Sequence, residues 1–117
     1  MKFEVTMVGT VTVTPEYEGE VFDHDEIVER TFDRTMAELT KLANIHDPSV
    51  SGTITTGEIE VSVVVEAEDF IQAIQIGDPA IRTAFHAADT STEGWDDVPL
   101  PLRVQWHRVE ADDLVDA

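Results

Sequence analysis

Val50-Ser51-Gly52-Thr53-Ile54-Thr55-Thr56-Gly57-Glu58-Ile59-Glu60-Val61-Ser62-Val63-Val64-Val65 is the stretch that decides the fold. Before Thr56-Gly57 the apolar residues fall on even positions, and after it mainly on odd ones. That is the period-2 pattern of a half-buried strand, written twice around a turn signal. With Thr56-Gly57 as a two-residue turn, Ile54 faces Ile59, Gly52 faces Val61 and Val50 faces Val63. Every apolar position then lies on one side of an antiparallel hairpin.

Upstream of the hairpin the period lengthens. Val28, Phe32, Met36, Leu39 and Ala43 recur at helical steps. Asp23, with Glu26 three residues on, has the spacing of a capping box, and Asp25, Glu26 and Glu29 suit the positive end of a helix dipole. Asn44 to Pro48 ends this helix. Downstream, Asp69 to Ala88 places Phe70, Ala73, Ile74, Ile81, Ala84, Phe85 and Ala88 at helical spacing. Gly77-Asp78-Pro79 interrupts them. Asp78 can cap a fresh start at Pro79, which predicts a kinked helix or two short ones.

Both ends of the chain read as strands. Phe3, Val5, Met7, Val11 and Val13 alternate with Glu4, Thr6, Thr10, Thr12 and Thr14. Gly9 breaks the odd series and marks a bulge or bend. A turn at Gly9-Thr10 would throw the apolar sets onto opposite faces, so one long strand fits better. Leu102, Val104 and Trp106 alternate with Arg103, Gln105 and His107 in a last strand. Pro15 to Phe22 and Asp89 to Pro101 read as loops, and the acidic tail 111–117 is expected to fray.

The order is strand, helix, strand, strand, helix, strand. It predicts one domain, 1–117, with an α+β fold on the ferredoxin-like βαββαβ plan. That plan is a four-stranded antiparallel sheet with its first and third strands central and two helices on one face. The opposite face would show Glu4, Thr6, Val8, Glu60, Ser62, Val64, Glu66, Arg103, Gln105 and His107.

The charge is the other strong feature. There are 25 Asp and Glu against 7 Lys and Arg, a net of -18 over 117 residues. A nucleic-acid or anionic-membrane surface needs a basic footprint, so neither partner is expected. The charge is spread along the chain: -7 over 1–47, -5 over 48–88 and -6 over 89–117. It is no appended acidic tail. A salt-rich cytoplasm favours such a surface as readily as function does, and a GC-rich genome would explain the few lysines but not the excess of Asp and Glu. The chain has no cysteine, which removes disulfides, zinc thiolates, iron–sulfur clusters and thiol nucleophiles. No apolar run approaches a membrane span, and a cytoplasmic location is the default expectation.

Several residue groups could carry chemistry. Asp23, His24 and Asp25, with Glu26, are the densest ligand-type cluster and could hold a divalent metal; an N-cap with first-turn acids explains the same residues. His86 and Asp89 could orient a general base, or His86 could serve the helix dipole. Arg103 and His107 could bind an anion on the open sheet face, or pair with Glu60, Glu66 or Glu4. Trp95, in an acidic loop, is a candidate interface anchor, and Trp106 falls on the core side. Glu16, Glu18 and Glu20, continued by Asp23, Asp25, Glu26 and Glu29, could form a phosphate-like acidic ridge. There is neither a phosphate-cradling glycine loop nor a Gly-x-Ser-x-Gly nucleophile pattern.

Arg82-Thr83-Ala84, His86-Ala87-Ala88 and Gly94-Trp95 together resemble the second helix and following loop of small uncharacterised actinobacterial and actinophage proteins. Those proteins often carry Gly where this chain has Asp89. The resemblance covers about a quarter of the chain. It implies an α+β fold and a high-GC lineage, and it brings no activity with it.

The resulting expectation is a non-enzymatic binding or assembly module without a cofactor, self-associating through an edge strand or the open sheet face. An acidic inhibitor or DNA mimic directed at a host nucleic-acid-binding protein is the second reading. A small metal-dependent enzyme using the His24 cluster is the third.

Overall fold

Lys2–Val13 runs as one 12-residue strand, β1, straight through Gly9. In this computed structural model the described residues are 1–13, 16–17, 20–21, 23–87, 91–92 and 102–114, with backbone alone for 16–17, 20–21, 91–92 and 102. After β1 come β2 (Glu16–Tyr17), β3 (Glu20–Val21), α1 (His24–Thr40), β4 (His46–Thr53) and β5 (Glu58–Glu66). Then follow α2 (Phe70–Ala87), β6 (Ser91–Thr92) and β7 (Leu102–Asp113).

The fold is α+β. The long elements follow the order βαββαβ, and the four long strands pair antiparallel in the order β4-β5-β1-β7. Three short strands lie where the sequence reads as loop. β2 and β3 pair with each other, and β6 adds a two-residue parallel edge to β7. Odd residues of β1 (Phe3, Val5, Met7, Val11) and of β5 (Ile59, Val61, Val63, Val65) are buried with Val28, Leu39, Ile81 and Phe85 of the helices. Both helices therefore share the core on one side of the sheet.

The hairpin register differs from the expected one by two residues. Gly52 faces Ile59 and Val50 faces Val61, and Ile54 to Gly57 form a four-residue turn. An even shift keeps every side chain on its face, so the core assignment survives the change of partners. The longer turn is set by Gly57, at φ 77°. Its N–H donates to Thr53 O at 2.9 Å, and its carbonyl accepts from Val11 N at 2.8 Å, tying the turn to β1. At its other end β4 bulges: the pairing jumps from His46 to Ser49, with Asp47 at φ 45°.

Asp23 caps α1 as its spacing predicts, accepting from Glu26 N at 3.2 Å. The buried line of that helix is rotated from the expected stripe. It runs Ile27, Val28, Thr31, Thr35, Leu39, with Phe32 and Met36 half-buried and Ala43 exposed. Thr31 satisfies its hydroxyl on Ile27 O at 2.8 Å, the local bond that lets a threonine be buried in a helix.

α2 is one 18-residue helix rather than two short ones, with Pro79 inside it. Asp78 does not cap a second start; its carboxylate pairs with Arg82 one turn on. The true cap lies upstream, where Asp69 Oδ1 accepts from Gln72 N at 2.8 Å and Gln72 Oε1 accepts from Glu68 N at 2.6 Å. Gly77 belongs to the buried stripe, because a Cβ there would lie 2.7 Å from Val5 Cβ. The glycine is where the helix touches the sheet, not where it breaks.

β7 corrects the expected frayed tail. Ala111 to Asp113 pair with Val5 to Phe3, and Leu114 N donates to Lys2 O at 2.9 Å. Residues 115–117 lie outside the described residues. The β1–β7 register shifts at Val8/Gly9: Val8 faces Arg108 and Gly9 faces Trp106, leaving His107 as an extra residue in β7. The bulge falls at Gly9 as the broken alternation implies. It also flips the parity of β7, so that Val109 and Ala111 join Val104 and Trp106 against the core.

Candidate functional site

Even residues of β1 and β5 point away from the helices, and the register lays them out in rows. His46, Val64, Glu4 and Asp112 form one row; Ser49, Ser62, Thr6 and Glu110 the next. Ser51, Glu60, Val8 and Arg108 follow, then Thr53, Glu58, Thr10 and Gln105, and finally Thr12 with Arg103. Among the described residues no helix covers this face. Two of its residues are nonetheless buried: Thr6 is 8% and Val64 7% exposed. Thr6 Oγ1 and Ser62 Oγ lie 3.0 Å apart across the strands. The face is a hydroxyl-rich surface with a small apolar centre and charged ends.

The bulge sets His107 beside Thr10 and turns Arg108 onto this face. His107 Nε2 lies 2.8 Å from Thr10 Oγ1. Arg108 Nε lies 3.2 Å from Glu110 Oε1, an ion pair. This corrects the expected pairing of Arg103 and His107 with Glu60, Glu66 or Glu4. Those glutamates face Val8, Lys2 and Val64 respectively, a strand or more away from the Arg103 and His107 positions. Arg108 and Glu110 escaped the sequence reading because the alternation of β7 reverses at a bulge whose extra residue lies in β7 itself.

The other candidates scatter. Asp23 is committed to its cap, and His24 Nδ1 turns to Asp25 Oδ1 at 2.9 Å on an exposed surface. Among the described residues no three His, Asp or Glu side chains gather as metal ligands. Glu16 and Glu20 belong to the β2–β3 ribbon, but their side chains, and Glu18 entirely, lie outside the described residues. So do Trp95 and Asp89; His86 is exposed in the last turn of α2. Trp106 packs inward, edge-on to Phe85 with ring centroids 5.0 Å apart.

Two further surface features stand apart from the sheet face. A groove of about 390 Å³ between the end of α1 and the middle of α2 is lined by Leu42, Asn44, Gln75, Ile76, Pro79 and Thr83. At the start of α2, Phe70 and Ile71 are 53% and 69% exposed, Phe70 resting edge-on against Phe3. No described helix is long and apolar enough to cross a membrane. The chain matches no protein-family model and no curated protein.

Proposed function

We propose that this chain is a ferredoxin-like assembly module that self-associates through its open sheet face and performs no chemistry of its own. The carrying observation is that face: four long strands, with Thr6 and Val64 buried although no described helix covers them. The fold name is supported by the βαββαβ order, with β1 and β5 flanked by β7 and β4. Charge favours a second copy as occupant. Lys2, Arg103 and Arg108, out of 7 Lys and Arg, lie on this face among Glu4, Glu58, Glu60, Glu66, Glu110 and Asp112, so it offers both signs to its own image. Edge-strand pairing is disfavoured, since the free edge of β4 carries a bulge and Pro48.

Light scattering across a hundredfold range of protein concentration, at low and at high salt, tests the reading. A concentration-dependent dimer that strengthens with salt is expected, because salt screens the repulsion between two copies of -18 each. A monomer under every condition overturns it.

A further inference from the structure

We infer that the two copies pack sheet to sheet about a two-fold axis that crosses the strands between the Thr6 and Val8 rows, closing a ring of four alternating charges from Arg108 and Glu110 of each. This rests on the assembly reading and adds its register. β7 divides its open-face charge along its length: Arg103 and Arg108 in the first half, Glu110 and Asp112 in the second. A two-fold axis perpendicular to the strands lays the first half of one β7 over the second half of the other. Arg108 then faces the second copy's Glu110, and Glu110 faces the second copy's Arg108. Within one chain the two side chains already meet at 3.2 Å, so positive and negative charges alternate around the axis.

The rest of the face agrees with this axis. Val8 falls over the second copy's Thr6, Thr10 over Glu4, Glu60 over Ser62, Ser51 over Ser49, and Lys2 over Thr12. No residue of these rows falls directly over a like charge. A two-fold axis parallel to the strands and centred on β1 would lay Glu4 over Glu4 and Lys2 over Lys2, which is unfavourable. Sheets stacked at about 10 Å leave room for Arg and Glu to reach across the gap.

Two charge reversals test the register. Arg108→Glu and Glu110→Arg should each weaken self-association at least tenfold in about 0.3 M salt, where long-range repulsion is largely screened. Mixed in equal amounts they should associate within threefold of the unaltered protein, because both facing pairs are again opposite in sign. Asp33→Arg, an exposed reversal on α1, controls for net charge and should change association less than threefold. Circular dichroism confirms that each variant is folded. Arg108→Gln, which should weaken association by a smaller factor, serves if a reversal unfolds. If the unaltered protein dimerises and the reversals do so equally well, the register is wrong and the assembly reading stands. If mixing restores nothing, the register is also wrong. If the unaltered protein stays monomeric, the assembly reading itself has failed.

Discussion

Gly9 faces Trp106 across the β1–β7 ladder, and the indole occupies the space a side chain at Gly9 would need. A Cβ there would sit 2.6 Å from Gln105 O and 2.9 Å from Trp106 Cε3. The bulge that leaves His107 unpaired begins at this contact. One glycine thus admits the tryptophan to the core beside Phe85, and the adjoining bulge turns Arg108 and Glu110 onto the open face.

Gly9→Ala should therefore destabilise the protein by about 2 kcal/mol, the scale of forced overpacking. Urea unfolding followed by Trp fluorescence measures it. A loss below about 0.5 kcal/mol would show that Trp106 can move aside without cost.

Gly77→Ala should have the opposite sign from ordinary helix propensity. In an unconstrained helix the change gains about 1 kcal/mol. Here the new Cβ lies within 2.8 Å of three Val5 side-chain carbons, so a net loss of about 1–2 kcal/mol is expected. Repeating the substitution in a Val5→Ala background, which removes the two γ-carbon contacts and leaves the Cβ contact, should remove part of that loss. An equal loss in both backgrounds would place the cost elsewhere.

Gly57→Ala strains the hairpin twice. Its φ of 77° suits glycine, and a Cβ would lie 2.3 Å from Val11 O. A loss of about 2–3 kcal/mol is expected from the left-handed backbone together with the clash. Amide exchange at Val11, whose N–H donates to Gly57 O, should speed up with it. Unchanged exchange there would mean that the turn is not tied to β1.

Thr35 and Thr31 look alike in sequence and differ in satisfaction. Thr31 donates to Ile27 O, whereas Thr35 Oγ1 is buried with no partner among the described residues. Thr35→Val should stabilise by about 1 kcal/mol, and Thr31→Val should gain less or lose. Thermal melts of the two variants give the comparison; a larger gain at Thr31 would reverse the assignment.

Much of this architecture is legible from alternation alone. Period-2 runs in β1 and β5 and helical steps in α1 and α2 predict the element order, since each follows from which face must leave water. What alternation does not carry is displacement along a strand. A two-residue slip in the β4–β5 hairpin leaves every face unchanged, so Ile54 opposite Ile59 was as consistent with the pattern as Gly52 opposite Ile59. A one-residue bulge changes faces, and its extra residue, His107, gives no local sign; Gly9 across the ladder gives the only one. Gly77 looked like a break because helix propensity is local, while Val5, which needs the space, is distant in sequence. At His24 the ligand-type residues serve other ends: Asp23 caps the helix and His24 turns to Asp25.

The central claim is that the open sheet face is where two copies meet. The absence of cysteine allows a direct measurement, because a single introduced thiol reports one position. Labelling rates of Val8→Cys and Ile71→Cys should be followed as protein concentration rises through the dimerisation range. The account predicts that the Val8→Cys thiol slows in proportion to the dimer fraction while the Ile71→Cys thiol does not change. Dimerisation with an unchanged rate at Val8→Cys, or with protection at Ile71→Cys instead, would contradict it.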